Sequence, residues 1–377
     1  MRRTSMRKLP MVLLATAALP MAVNAANTEF SFGGFIKMDA MLSTYSDGDI
    51  APANIGRDFY VPSTIPVGGQ DEGADLDYSA KSTRLNMKTV TTLEDGETVT
   101  GFIEMDFLSS PGGTEIVSNS YNPRLRHAFF KYDGLTAGQT WTTFMNTGAL
   151  PETVDFLGPS ESSVFVRQTQ FRYTMGDFDL AIENPETTVD GAVSDDGMLP
   201  DFVARYNIKS GNSNFAVAAL VRQLSYEDAV NNVDSTTAMG FGINVSGKIM
   251  IGGDDLKLSL TSGTGVGRYV GLGAVTDANL VNGDLKASKT TAAFIAYRHH
   301  WTSKLRSTAM YSMLTADYDS AAPTTSTTDI SSVRVNLMYN PVEPITYGVE
   351  YSMATREIDN GANGDMSRLQ VSAKYSF

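Results

Sequence analysis

From Leu369 to Phe377 apolar and polar side chains alternate without a break. Leu369, Val371, Ala373, Tyr375 and Phe377 fall on one side of an extended strand, and Gln370, Ser372, Lys374 and Ser376 fall on the other. Strand side chains repeat every two residues, so one side of such a strand meets an apolar medium and the other meets water. An edge strand of a soluble sandwich fits this pattern in isolation. A β-barrel in a lipid bilayer requires it in every strand, because lipid touches every second residue.

Sixteen segments carry the pattern, at about 30–45, 79–92, 98–107, 124–132, 135–144, 164–174, 178–184, 201–209, 214–226, 236–249, 255–264, 288–301, 305–317, 329–340, 345–357 and 366–377. Their connections sort by length: the short 93–97, 133–134, 176–177, 210–213, 250–254, 302–304 and 341–344 alternate with the longer 46–78, 108–123, 145–163, 185–200, 227–235, 265–287, 318–328 and 358–365. A barrel inserted from one side of a membrane sorts its connections in this way, with short periplasmic turns and long extracellular loops. The expected fold is therefore all-β, a transmembrane antiparallel β-barrel of 16 strands. The even count lets the last strand pair with the first and removes the open edge that lipid forbids.

The amino end carries a secretory signal. Arg2, Arg3, Arg7 and Lys8 precede the short apolar run Met11 to Val23, and Val23-Asn24-Ala25 offers small residues before a cut that leaves Ala26 first. The run is shorter than the roughly 20 apolar residues that span a bilayer as a helix, and Pro20 interrupts it. The expected organisation is a cleaved signal peptide at 1–25 and one barrel domain at 26–377. No Cys is present, which excludes disulfides and thiolate metal sites. Of 29 basic and 42 acidic residues, the four basic ones of the signal are lost, leaving 25 against 42 and a net charge of −17. Nucleic acid is an improbable partner for such a chain. Outer-membrane lipid and lipopolysaccharide are the expected surroundings.

One face of each strand takes charge and the other refuses it. Ile36, Met38, Ala40 and Leu42 oppose Lys37, Asp39 and Met41; Leu85, Met87 and Thr89 oppose Arg84, Asn86 and Lys88; Val99, Ile103, Met105 and Phe107 oppose Phe102, Glu104 and Asp106. An arginine facing lipid at mid-membrane costs about 2–4 kcal/mol, so the charged face is the lumen. Tyr45, Tyr78, Trp141, Tyr173, Trp301, Tyr339 and Tyr375, near strand ends, fit interfacial girdles.

The arginines lie in or beside the strands, at Arg84, Arg124, Arg126, Arg167, Arg172, Arg205, Arg222, Arg298, Arg306, Arg334, Arg356 and Arg368, whereas acids crowd loops such as 71–77 and 190–196. Guanidinium groups on a narrow aqueous passage attract anions and grip a carboxylate through two parallel hydrogen bonds. Pairing with lumen acids such as Asp39, Glu104, Asp106, Glu183 and Glu350 is the plainer role for part of them. The facing of Arg124 and Arg126 stays open, because they share parity with the aromatic Phe130. The stretch 145–163 holds Pro151, Glu152, Asp155 and Pro159 with the apolar Leu150, Val154, Phe156 and Leu157, and is expected to fold into the lumen and narrow it; capping the barrel or meeting a neighbouring subunit is the alternative. Catalysis has little footing: His299 and His300 are adjacent on a strand and point to opposite faces, and the glycine-rich 263–273 lacks the strand-to-helix setting of a phosphate loop. No enzyme activity and no cofactor is expected.

The run SNSYNPRLRHAFFKYDGLTAGQTWTTFMNTGALPETVDFLGPSESSVFVRQTQFRYT, Ser118 to Thr174, with Glu183-Asn184-Pro185-Glu186, the opening FSFGGFIKMDA and the RLNMKTVT of the second strand, resembles the DcaP family of outer-membrane porins. The second half is similar mainly in layout. The resemblance implies a sixteen-stranded barrel assembled as a trimer, passing small anionic solutes and dicarboxylates, with basic lumen residues near an inward-folded third loop. By that likeness Arg124, Arg126, Arg167 and Arg172 contact solute; the residues alone add Lys37, Arg84 and Arg205 to the lining. Some family members carry a helical segment before the barrel. Only a few residues separate Ala26 from the first strand here, so barrel-to-barrel contact is expected to make the trimer. The expected function is an anion-selective diffusion channel in the outer membrane of a Gram-negative bacterium. Its rivals are a weakly selective general porin and a plugged barrel with an adhesive or structural role.

Overall fold

The computed structural model describes residues 27–377, apart from 72, 110–115, 117, 191–193, 229–232 and 320–322. The expected signal peptide at 1–25 and the cut before Ala26 lie outside the described residues. The alternating segments form one closed antiparallel sheet: β1 Asn27–Tyr45, β2 Ala74–Ser79 with Arg84–Thr92, β3 Thr98–Asp106, β4 Arg124–Tyr132, β5 Leu135–Trp141, β6 Arg167–Met175, β7 Phe178–Glu183, β8 Asp201–Ser210, β9 Ser213–Asp228, β10 Val233–Ile251, β11 Asp254–Thr264, β12 Lys289–His300, β13 Leu305–Asp317, β14 Thr327–Tyr339, β15 Ile345–Ile358 and β16 Asn363–Ser376. Each pairs with its chain neighbours, and β16 closes on β1 in a register running from Phe35 opposite Ser376 to Tyr45 opposite Met366. Closure leaves no strand edge for lipid to meet unpaired.

The break inside β2 was not legible in the alternation. Residues 80–83 leave the ladder, and side chains replace the lost pairing: Ser82 Oγ donates to Asp39 Oδ2 at 3.0 Å, the Lys37 amide donates to Thr83 Oγ1 at 3.2 Å, and Lys81 Nζ donates to Asp58 at 2.9 Å. The strand resumes at Arg84 because Gly34 on β1 permits it. With φ at 148°, a Cβ on Gly34 would stand 2.1 Å from the Arg84 carbonyl oxygen. At the opposite extreme of local geometry, the two-residue turn Asp133-Gly134 holds φ of 42° and 77°, the positive pair that lets β4 and β5 reverse tightly.

The expected faces are present. Ile36, Met38 and Leu42 are exposed on β1 while Asp39, Met41 and Ser43 are buried; on β14, Val333, Val335 and Leu337 are exposed while Ser332, Arg334 and Asn336 are buried. The outer surface is thus an apolar band, and the inner surface is polar and charged. Two girdle expectations fail. Tyr45 is buried in the lumen beside Arg368, and Trp141 faces inward beneath Arg126 and Arg167. The other five, Tyr78, Tyr173, Trp301, Tyr339 and Tyr375, are exposed.

Four loop expectations change. The segments read as loops at 227–235 and 358–365 are half strand or more, because β9 and β10 run on to leave only 229–232 between them, and β15 and β16 leave only 359–362. The loop at 265–287 contains a hairpin, Ala278–Val281 with Asp284–Ala287, which pairs in parallel with Val189–Asp190 of another loop. Residues 46–78, read as an outer loop, end in the strand Ala74–Ser79, and Ile50, Tyr60 and Ile65 among them are buried against Tyr45, Ala354 and Met366. Among the described residues no helix is long and apolar enough to cross a membrane.

Candidate functional site

Four of the arginines singled out from the sequence form one row. Register sets it: Met105 opposite Leu85 carries Asp106 toward Arg84, Asp106 stands opposite Arg124, and Trp141 stands opposite Arg167. A register shift between Glu104 and Met105 resolves the facing of β4. Leu125 pairs with Met105 but His127 pairs with Glu104, so Arg126 is an extra residue. This bulge re-phases the strand. Before it Arg124 and Arg126 turn inward and Leu125 outward; after it His127 is buried and Phe130 is exposed.

Within the row, Arg124 grips Asp106 with Nε and Nη2, both at 2.8 Å. Arg126 donates Nε to Glu104 and Nη1 to Asp106, again at 2.8 Å, and Arg84 approaches Glu104 at 3.6 Å. Arg167 stacks on Trp141 at 4.9 Å and Phe165 at 5.7 Å, and its Nη1 has no acceptor among the described residues. Four guanidinium groups and two carboxylates therefore interact as one cluster with a surplus of positive charge. The side chains of Arg84 and Arg124 keep about a fifth to a quarter of their surface open, at 22% and 24%.

Facing this row is the segment 142–166, the third long loop, which runs along the inner wall. Arg205 on β8 donates to the Met145 carbonyl at 2.5 Å, Asn146 donates to the Ser246 carbonyl on β10 at 3.4 Å, and Lys257 on β11 donates to the Leu150 carbonyl at 2.5 Å. Glu152 then meets Arg298 on β12 and Arg306 on β13, Asn336 on β14 donates to the Glu152 carbonyl at 3.0 Å, Glu350 on β15 accepts from the Val154 amide at 2.9 Å, and Lys37 on β1 donates to the Val154 carbonyl at 2.6 Å. The loop thus visits the strands in their order around the barrel. On its return Glu161 accepts from Ser312 and Ser332, and the Phe165 amide donates to the Tyr269 carbonyl at 3.0 Å.

The loop residues expected to matter divide by exposure. Pro151 and Pro159 are buried, and Asp155 is buried while accepting from the amides of Tyr60 at 3.0 Å, Leu157 at 3.4 Å and Gly158 at 3.2 Å. Glu152 alone of the four charged or proline positions stays partly open. Burial pushes its carboxyl up, but the hydrogen bond and charge of Arg306, followed by those of Arg298, pull harder and hold it below the ordinary carboxylate range.

Arg172 and Arg205 stand apart from the row. Arg172 donates to the Trp141 carbonyl at 2.5 Å and to Thr143 at 2.7 Å; Arg205 grips Asp179 at 2.8 Å as well as the Met145 carbonyl. Both hold the root of the loop, because β6 and β8 deliver them where the chain leaves β5. Lys37 pairs with Asp39 at 2.8 Å and holds the loop tip. Sequence reasoning missed Tyr60 of the 46–73 loop, which packs under the Arg334 guanidinium at 4.2 Å, and Lys374, whose register partner is Lys37. Lys374 was visible as the charged member of the last strand; Tyr60 left no signal. His299 packs with the exposed Tyr297 and Trp301, and the rings of His299 and His300 reach different oxygens of Asp254, at 2.8 Å and 3.7 Å from Nδ1, because Asp254 begins β11 at the turn end beside them.

The chain is similar to known proteins along nearly all its length. A family model described as DcaP outer membrane protein matches residues 11–377. No curated protein matches its sequence. Among solved structures, the outer membrane channel DcaP of Acinetobacter baumannii superposes with a TM-score of 0.77 at 23% identity, covering 93% of this chain and 98% of that one. An anion-selective porin from Comamonas acidovorans gives 0.56 at 10% identity, covering 93% and 100%. The trimer form of OmpT, an outer membrane protein of Vibrio cholerae, gives 0.53 at 12% identity, covering 93% and 99%.

Proposed function

The chain belongs to the DcaP outer membrane protein family, and from that premise we propose that it is a passive channel with a preference for small anions, dicarboxylates above all. That it is an outer-membrane channel of DcaP type follows from the family itself. The finer reading rests on one observation: among the described residues Arg84, Arg124, Arg126 and Arg167 share two carboxylates, Glu104 and Asp106, and Arg167 spends its charge on aromatic rings. One surplus charge at about 6 Å from a permeating anion is worth roughly 0.7 kcal/mol in bulk water and about 3 kcal/mol at an effective dielectric of 20. The corresponding preference runs from about threefold to about a hundredfold.

In this reading the 142–166 loop narrows the passage and the row of arginines is its basic side, so that solute slides between the loop and the row. No step is catalytic. Export through a cleaved 1–25 signal and assembly as a homotrimer by barrel-to-barrel contact belong to the same proposal; the trimer form of the similar Vibrio cholerae OmpT supports the latter. The pairing of Arg124 and Arg126 with both carboxylates favours the rival, a weakly selective porin. Swelling of proteoliposomes separates the two. Succinate is expected to enter faster than a diamine of equal length, and equal rates contradict the anion preference.

A further inference from the structure

Glu152 is held as a permeating carboxylate would be held. Arg306 clasps it in a fork, Nε to Oε2 and Nη2 to Oε1, both at 2.6 Å, and Arg298 Nη1 adds a third bond at 3.1 Å. Such parallel bidentate geometry is the strong form of carboxylate recognition. The clasp belongs to the wall and not to the loop. Arg298 is fixed independently by Asp255, with Nε at 2.7 Å, and Arg306 is braced by Asn340 Oδ1 at 2.5 Å. Lys257 and Lys374 stand within electrostatic range of Glu152 as well. The wall around this carboxylate offers Lys257, Arg298, Arg306 and Lys374; of the nearby wall acids, Asp255 is bonded to Arg298, and Glu350 is taken up by the Val154 amide and Asn336.

Lys374 joins this site to the arginine row. It lies over one side of the Phe35 ring at 5.6 Å, Arg84 lies over the same ring at 5.1 Å, and Lys374 interacts with Arg84, Arg306 and Glu152. A basic track thus leads from Arg167 and Arg126 through Arg84 and Lys374 to the fork that Glu152 occupies.

We propose that the Arg298–Arg306 fork is a binding site for one carboxylate of a permeating dicarboxylate, and that Glu152 fills it when the channel is empty. The second carboxylate of the solute lies toward Lys374. Binding displaces Glu152, frees the loop at its midpoint and makes loop position depend on solute. No bond is made or broken covalently; one carboxylate replaces another. The inference rests on the anion-channel reading above, and it is tested apart from it.

The test is block of single-channel potassium chloride current by succinate, with butyrate as the one-carboxylate probe. A tethered carboxylate competes at an effective concentration in the millimolar range, so Glu152→Gln is expected to lower the half-blocking succinate concentration about tenfold. Butyrate, which seeks the same fork without the second group, is expected to start weaker and to gain by the same factor. Glu152→Asp keeps the charge but withdraws it by one methylene, and an intermediate shift is expected; this variant carries the test if the first does not insert. Arg306→Lys keeps the charge and loses the fork, and is expected to raise the half-blocking concentration in the Glu152→Gln background, where no tethered carboxylate shares the loss. An unchanged or raised half-blocking concentration in Glu152→Gln overturns the proposal, as does an unaltered block on adding Arg306→Lys to Glu152→Gln. Either result with an anion-preferring wild type leaves the channel reading standing; a wild type without anion preference overturns that reading instead.

Discussion

Arg222 and Arg167 both leave barrel strands for the interior, and they end in opposite states. Arg222 on β9 is fully buried, bonded to Asp201 at 3.2 Å and Asp277 at 2.9 Å, and further to the Gly265 carbonyl at 3.1 Å and the Glu186 carbonyl. Arg167 on β6 meets two aromatic rings, with one nitrogen unpartnered among the described residues. The neighbours make the difference. Around Arg222 one strand and one loop each deliver a carboxylate; around Arg167 the adjacent strand delivers Trp141 and the loop delivers Phe165. An inward arginine on this scaffold is thus either a wall staple or an available charge, according to how many acids reach it.

That contrast is open to attack at several points. The largest effect is expected from Arg222→Leu, which leaves the buried Asp277 without a cation and Asp201 with Arg268 alone at 3.3 Å, and costs about 3–5 kcal/mol. Thermal unfolding in detergent, followed by the mobility shift of heat-denatured barrels, measures it, and the surviving channels are expected to keep wild-type ion preference. A loss of selectivity with unchanged stability would reverse the roles assigned to the two arginines. Next comes Asp155→Ala, which strips the acceptor from three amides and costs about 1–3 kcal/mol at the loop. Larger and noisier single-channel current is the expected signature. Arg172→Ala is expected to act in the same direction but more weakly, loosening the loop root with little change in ion preference; this separates it from the row.

The smallest effect concerns pH. Glu152 belongs to the loop, and its arginine neighbours outweigh burial to depress its carboxyl. A depressed carboxyl stabilises the fold above its unfolded value, about 4.3 for Glu, and this contribution is lost only as pH falls through the folded value. Loop-dependent conductance is therefore expected to stay level from neutral pH to about 4.3 and to change below that. A midpoint above the ordinary Glu value contradicts the clasp.

Strand existence was written plainly in the chain, because a membrane imposes alternation that no neighbour can override. The closing pair β1 and β16 and the charge on the inner face could be read from residues such as Lys37, Asp39 and Lys374. What escaped depended on long-range geometry. The β4 bulge at Arg126 inserts one residue without any change in composition, so parity alone left the facing of Arg124 and Arg126 against Phe130 open. Residues 80–83 look like strand because Ser82 and Thr83 serve either face. The hairpins at 213–251 and 345–376 outrun the bilayer, and their polar ends resemble loop. The Glu152 site joins a loop to strands more than a hundred residues later, a meeting that only barrel closure arranges.

The account's central claim is that the arginine row sets ion preference, and reversal potential in a potassium chloride gradient across a planar bilayer tests it most directly. Wild-type channels are expected to favour chloride, and Arg167→Gln to lower that preference about threefold or more without loss of folded barrel. A cation-preferring wild type, or an Arg167→Gln channel with an unaltered reversal potential, would contradict it.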